Sequence, residues 1–309
     1  MSSSSACRAW RAPAALTLTL LLVACQTAPV APPPPVVPEP PPVVVMPKPP
    51  PKPPRIGLAL GGGAARGFAH IGVIQVLEEN GIRPDLVVGT SAGSLVAALY
   101  ASGKTGPEMA LLAQNMDEGA ITDWSFPGRG LIRGEALAKY VREQTGGRPI
   151  EQMKLPLGIV ATDLDSGAPI LFRRGDTGMA VRASSAVPAV FQPVRIGSRE
   201  YVDGGLVSPV PVRFAREMGA QMVIAVDITS PPDGNATSDP FKLLMQTFTI
   251  MGKSINHFEL RDADTVLRPS LVGVSSADFT ARRKAIQSGR DAALKLLPEM
   301  QARILQLTR

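Results

Sequence analysis

The stretch Asp85-Leu86-Val87-Val88-Gly89-Thr90-Ser91-Ala92-Gly93-Ser94-Leu95-Val96-Ala97-Ala98-Leu99-Tyr100 decides the fold. A short β-branched run, Asp85 to Gly89, passes straight into an apolar helical pattern over Ser91 to Ser102, which Gly103 stops. At the junction stands a G-x-S-x-G string. A serine on so sharp a strand-to-helix turn takes a strained backbone angle, and glycines two residues to either side remove the Cβ atoms that would collide there. The helix that starts at the serine aims unpaired N–H groups and the positive end of its dipole at negative charge forming beside it. Ser91 is therefore the candidate nucleophile.

The same grammar recurs on both sides of this stretch. Upstream, Ile56 to Leu60 predicts a strand, followed by the loop Gly61-Gly62-Gly63-Ala64-Ala65-Arg66-Gly67. A helix follows over Gly67 to Asn80, with Ile71, Ile74 and Leu77 at helical spacing and Gly81 as its stop. Downstream, strands are predicted at Leu157 to Thr162, Ile170 to Arg173, Val194 to Ile196 and Met222 to Asp227. Helices are predicted at Gly134 to Gln144, Pro211 to Met218, Phe241 to Leu260 and Ala281 to Leu297. This alternation predicts an α/β domain with a mainly parallel sheet over residues 55–309. A chain of 309 residues, 45% of them hydrophobic, has ample apolar surface for such a core.

The glycine loop has two competing readings. In a dinucleotide-binding fold an acidic residue ends the second strand and binds a ribose. Here that strand ends in Gly89-Thr90-Ser91, with no carboxylate. The loop is better read as an oxyanion hole, its backbone amides facing the serine across the tips of neighbouring strands. Gly103-Lys104-Thr105 imitates the end of a phosphate-binding loop, but Ala98 occupies the place of that motif's first glycine.

A nucleophilic serine needs a base, and the chain has two histidines. His70 reads as structural or as part of a pocket rim, and His257 as a surface or packing residue. This scarcity points to a carboxylate. Asp203-Gly204-Gly205 follows the strand-like pair Tyr201-Val202, and a buried aspartate with a raised pKa takes a serine proton without a third partner. The same three residues also make a common tight turn, and spacing alone leaves both readings open.

Glycine loop, elbow and Asp-Gly-Gly, in this order, resemble the patatin-like phospholipase family, including its neuropathy-target-esterase branch, over about Arg55 to Thr229. The run Arg182-Ala183-Ser184-Ser185-Ala186-Val187-Pro188-Ala189-Val190-Phe191-Gln192-Pro193 resembles the family segment that precedes the aspartate. The resemblance implies a three-layer fold whose mainly parallel central sheet is flanked by helices. It implies Ser91 as nucleophile, Asp203 as its dyad partner, and Gly62, Gly63 and Ala64 as oxyanion N–H donors with Arg66 beside them. Ala64 stands where many relatives carry a fourth glycine. The implied chemistry is hydrolysis of acyl esters in phospholipids, lysophospholipids or simpler lipids through an acyl-serine, with no cofactor. Two alternatives stay open: a lipid- or envelope-binding lipoprotein that does not catalyse, and a thioesterase on the same dyad. No zinc or calcium motif is present, so no metal is assigned.

The N-terminal region differs in composition. Arg8 and Arg11 precede an apolar stretch, Pro13 to Ala24, which reads as an export signal over residues 1–24. It is too short to span a bilayer. Leu22-Val23-Ala24-Cys25 resembles a bacterial lipobox, which makes Cys25 the candidate lipidated residue and membrane attachment point. Gln26 in place of aspartate favours the outer membrane, facing the periplasm. Residues 25–54 are proline-rich and read as an extended polyproline II tether. Cys7 lies within the signal, so no disulfide is expected in the mature chain. The formal charge of +6 comes without a Lys/Arg block, and no nucleic-acid partner is read from it.

Two segments are candidate walls for an acyl chain. One is the stripe Phe241, Leu244, Met245, Phe248, Met251 and Ile255, which at helical spacing also fits plain core. The other is Ile121 to Phe126 with Trp124, read as a lid, an interface anchor or a packed loop.

Overall fold

The computed structural model describes residues 51–117, 119, 123–124, 128–232 and 237–308. Cys25 and nearly all of the proline-rich tether lie outside the described residues. In chain order the strands are β1 (Ile56–Leu60), β2 (Leu86–Thr90), β3 (Gly130–Ile132), β4 (Leu157–Asp163), β5 (Pro169–Phe172), β6 (Ala189–Phe191), β7 (Val194–Ile196), β8 (Arg199–Asp203), β9 (Met222–Val226) and β10 (Thr265–Leu267). The α-helices are α1 (Phe68–Glu79), α2 (Ala92–Ala101), α3 (Gly106–Asn115), α4 (Glu135–Thr145), α5 (Thr177–Ser184), α6 (Val212–Glu217), α7 (Pro240–Glu259) and α8 (Arg282–Leu307).

Eight of these strands form the central sheet, in the order β10-β9-β1-β2-β4-β8-β7, with β5 also paired to β4. From β10 to β4 every pairing is parallel, while β5, β8 and β7 join antiparallel. The parallel strands read as continuous apolar runs because both of their faces are covered. In β9, Met222, Ile224 and Val226 face one core, where Val73, Ile74, Leu77 and Met300 pack, and Val223 and Ala225 face another, built around Phe214 and Met218. Helices on both faces of a mostly parallel sheet make the expected three layers.

One edge of β4 sets the geometry of the molecule. Along a strand, alternate residues direct their backbone polar groups to opposite edges. Val87 N–H donates to Pro156, just before β4, and Leu164 N–H, just after it, donates to Glu200. Both are even-numbered positions on this strand. Asp163 N–H instead donates to Ala168, on the β5 side. Hence β2 and β8 share a single edge of β4, end to end. β2 occupies it up to Thr90 opposite Val160, and β8, running the other way, begins with Asp203 opposite Ala161. Their C-terminal ends meet head-on.

The predicted strands and helices fall within a residue or two of the observed ones, with three informative exceptions. The three-residue strands β3, β6 and β10 were not anticipated, nor were α3 and α5, although Thr105 and Glu108 form a capping box with Pro107 in the first turn, and Asp176 caps α5 by accepting from Met179 N–H. α8 was expected to end at Leu297, before a proline, yet it runs through Pro298 to Leu307. Burial of Met300, and Arg303 donating from Nε and Nη2 to Asp264 Oδ1, hold the last turns despite the missing N–H. The third exception is α7. Its stripe was expected to be core or groove wall, and Met245, Phe248 and Ile255 are half-buried, but Phe241, Leu244 and Met251 are exposed, and the fully buried positions of the helix are Gly252, Asn256 and Glu259.

α1 and α8 cross with their backbones in contact. A Cβ added to Gly72 would lie 1.9 Å from Ile286 O, and one added to Gly289 would lie 1.9 Å from Ala69 O. Neither obstacle is a flexible side chain, so one helix must move. Gly289→Ala is expected to lower stability by about 3 kcal/mol, at the upper end of overpacking costs, as read by chemical denaturation. A loss below about 0.5 kcal/mol would show that the crossing yields easily.

Candidate active site

Ser91 sits between β2 and α2 with φ 53° and ψ −125°, a conformation costly for a residue with a Cβ. The neighbouring glycines are required by contact. A Cβ on Gly89 would fall 2.3 Å from Gly93 O, and one on Gly93 would fall 2.2 Å from Leu60 O. The elbow therefore packs directly against the end of β1. α2 begins at the next residue, so its free first-turn amides and positive dipole end lie at the serine.

The head-on meeting of β2 and β8 brings the serine to the aspartate. Ser91 Oγ donates to Asp203 Oδ2 at 2.6 Å, and the other carboxylate oxygen accepts from Gly205 N–H at 2.7 Å. Thr162 Oγ1 donates to the backbone carbonyl of Asp203 at 2.8 Å and fixes the end of β8. A Cβ on Gly204 would fall 2.3 Å from Val160 O, so glycine there lets the turn close over β4. Both partners are buried. Burial pushes the Asp203 carboxyl up to about 6, against the opposing hydrogen bonds from Ser91 and Gly205.

The glycine loop adjoins the serine at Gly62, where an added Cβ would lie 3.0 Å from Ser91 Cβ. The sequence reading gave the Gly62 amide to the oxyanion hole, but that amide donates to Pro209 O at 2.9 Å, holding the loop against the segment after β8. What Gly62 supplies is close approach. Among the described residues the amides of Gly63 and Ala64 have no acceptor, which leaves both available. Ala64 has φ 48°, a left-handed conformation that glycine takes freely and alanine takes at a cost of about 1 kcal/mol. Arg66 is buried, its guanidinium bonded to Ser230 Oγ and its charge facing Asp227, so it ties the loop to the chain beyond β9.

The histidines take no part in this pairing. His70 is fully buried and Nε2–H donates to Gly61 O at 2.8 Å, pinning the start of the loop; burial pulls its pKa down to about 4 and keeps the ring neutral. His257 is exposed on α7, edge-on to Phe258 and hydrogen-bonded to Arg261. Of the segment 121–126, only Asp123 and Trp124 are described. Asp123 accepts from the amides of Gly134, Glu135 and Ala136 at the head of α4, and Trp124 is 72% exposed.

Two polar supports around Ser91 escaped the sequence reading. Ser91 N–H donates to Ser184 Oγ at 2.8 Å, and Ser184 Oγ–H donates to Val160 O at 2.5 Å, so one buried hydroxyl bridges the elbow to β4. On the other side Thr90 Oγ1 donates to Ser208 O at 2.9 Å. Ser208 Oγ in turn donates to Glu259 Oε2 at 2.5 Å, and Glu259 also pairs with Arg213. No periodicity marks such residues, although Ser184 lies in the run that resembles the family. Ser184→Ala leaves a buried donor and a buried acceptor unmatched, so a stability loss of about 2 kcal/mol is expected. The rate at which a fluorophosphonate labels Ser91 should fall about tenfold, and unchanged labelling would reject a positioning role for Ser184.

The chain is 38% identical over 186 residues to an NTE family protein of Mycobacterium tuberculosis, covering 59% of this chain and 51% of that one. It is 30% identical over 229 residues to patatin-like phospholipase domain-containing protein 6 of Mus musculus, covering 72% of this chain and 16% of the relative. The chain thus spans about half or less of the length of these relatives. Among solved structures, VipD from Legionella pneumophila shares the fold with a TM-score of 0.56 at 15% identity, covering 79% of this chain and 66% of that one. The profile of patatin-like phospholipases matches residues 58–216, which hold the loop, the elbow and Asp203, and the chain belongs to that family.

Proposed function

We propose that this protein is a lipid acyl hydrolase of the phospholipase A or lysophospholipase type, working through a Ser91–Asp203 dyad. The observation that carries the proposal is the 2.6 Å hydrogen bond from Ser91 Oγ to a buried carboxylate, with both histidines committed elsewhere. Asp203 accepts the hydroxyl proton as Ser91 Oγ attacks the ester carbonyl carbon. The oxyanion that forms is met by the amides of Gly63 and Ala64 and by the head of α2. Collapse of this intermediate expels the alcohol, which takes the proton from Asp203 and leaves an acyl-serine. Water then attacks the acyl group, passes a proton to Asp203, and the carboxylic acid departs as that proton returns to Ser91 Oγ. A carboxylate whose pKa is near 6 suits both directions of transfer at neutral pH.

The envelope assignment belongs to the same proposal. Residues 1–24 serve as the export signal, residues 25–54 as lipidated cysteine and spacer, and residues 55–309 as the hydrolase domain, held at the outer membrane through Cys25. Metabolic labelling with a palmitate analogue should mark the wild type and fail on Cys25→Ser.

Turnover of p-nitrophenyl butyrate and of a lysophospholipid should vanish in Ser91→Ala and fall at least about 10³-fold in Asp203→Asn. The pH dependence follows from the sign of the Asp203 shift. The base is active when deprotonated and its pKa is raised, so kcat/KM should rise with pH through about 6 and level off above it. Full turnover by Ser91→Ala would end the proposal.

A further inference from the structure

We infer that α7 is an interfacial docking helix whose outward apolar face seats on an anionic lipid surface, an inference that rests on the lipid hydrolase reading and extends it to the approach of substrate. In a helix of about 3.6 residues per turn, buried Gly252, Asn256 and Glu259 mark the face turned to the protein. Leu243, Ile250 and Phe258 fall on the opposite side, each between 53% and 62% exposed, with Leu244 and Met251 on one flank at 36% and 44%. The positions between them on that side, Thr247 and Ser254, are uncharged. An ordinary surface helix has one apolar side; α7 has Met245, Phe248 and Ile255 half-buried on its inner side and a second apolar row turned outward.

Charge selects the occupant. Beside this face Lys253 and Arg261 are exposed and the acidic residue Glu259 is buried, tied to Ser208 and Arg213; Lys242 pairs with half-exposed Asp239 at 3.1 Å, and exposed Asp262 follows Arg261. An apolar strip bordered by Lys253 and Arg261, with no exposed acid on the helix itself, complements acyl chains beneath anionic headgroups. No helix among the described residues is long and apolar enough to cross a membrane, so α7 lies on the surface rather than through it.

The inner face of α7 reaches the catalytic elements. Asn256 Oδ1 accepts from Val210 N–H at 3.2 Å, Gly252 lies against Pro209, and Glu259 accepts from Ser208. Pro209 O holds the Gly62 amide and Ser208 O holds the Thr90 hydroxyl. A lipid surface seated on α7 is therefore one side chain removed from both walls of the site.

The test uses the full chain carrying Cys25→Ser and Ser91→Ala, so that neither an anchor nor hydrolysis contributes. Flotation with phosphatidylcholine vesicles, with and without phosphatidylglycerol, reads binding. The triple substitution Leu243→Ser, Ile250→Ser, Phe258→Ser should weaken partition about tenfold or more. Lys253→Gln with Arg261→Gln should weaken binding to the anionic vesicles roughly fivefold per cation removed and leave neutral vesicles unaffected. In a chain with Ser91 intact, turnover of p-nitrophenyl acetate by the triple variant should equal that of its parent, which shows that the fold survives. Equal partition of parent and triple variant overturns the inference. So does a dimer in solution that the triple variant abolishes without changing vesicle binding, because the face would then belong to a second copy. Vesicle binding through α7 by a chain with no esterase activity would reject the hydrolase reading and leave the docking face standing.

Discussion

Two strands running in opposite directions share one edge of β4, and the point where they meet holds the whole site in place. β2 is a parallel strand that ends in the elbow; β8 is an antiparallel strand that ends in Asp203. Because both are hydrogen-bonded to the same neighbour, the separation of their ends is fixed by the backbone of β4 at Val160 and Ala161. The 2.6 Å bond from serine to aspartate is thus set by sheet register, not by loops. The second glycine of the Asp-Gly-Gly turn carries the amide that orients the carboxylate, and the first leaves space for the turn to pass Val160 O. Polar satisfaction at this junction is dense, with Thr162, Ser184 and Thr90 each bridging one strand end to a backbone carbonyl.

Such a junction stores cost that the rest of the fold must offset. Ser91 and Ala64 hold left-handed backbone angles, and Asp203 is kept where desolvation opposes its charge. Each term is on the order of 1–3 kcal/mol, a noticeable share of the few kcal/mol that separate folded from unfolded chains. The compensation comes from close backbone contact. Gly93 brings the elbow against Leu60 O, and Gly72 and Gly289 bring α8 onto α1, whose buried His70 pins Gly61. Glycine thereby serves opposite ends, permitting strain at the serine turn and tight packing behind it.

How much of this was legible in the sequence depends on the range over which each feature is encoded. The parallel core and the elbow are local: apolar runs of strand length, glycines at fixed offsets and helix stops announce them. Asp203 was within reach because two histidines left a carboxylate as the remaining base, though the Asp-Gly-Gly string by itself reads as a turn. Ser184, Ser208 and Glu259 were not legible, since a buried hydroxyl bridging two strands has no spacing rule. The Gly62 amide failed for a related reason. A glycine loop shows that amides are clustered, but which of them is free depends on Pro209, far along the chain. α8 ran past its expected end because Arg303 and Met300 found partners that outweigh one lost hydrogen bond.

α7 exposes the deeper limit of reading periodicity. A stripe at helical spacing says that one side of a helix is apolar, and the usual inference adds that this side faces the protein. That addition assumes water on the other side. Here the face turned inward carries Asn256 and Glu259, bound to backbone and hydroxyl groups, beside half-buried Phe248 and Ile255, while Leu243, Ile250 and Phe258 turn out. On the proposed reading the two faces do different work: the inner face holds the strand ends that bring Ser91 to Asp203, and the outer face would carry that pair to a lipid surface. Such a helix carries apolar residues on two sides, and the buried polar contacts, more than the apolar stripe, reveal which way it points.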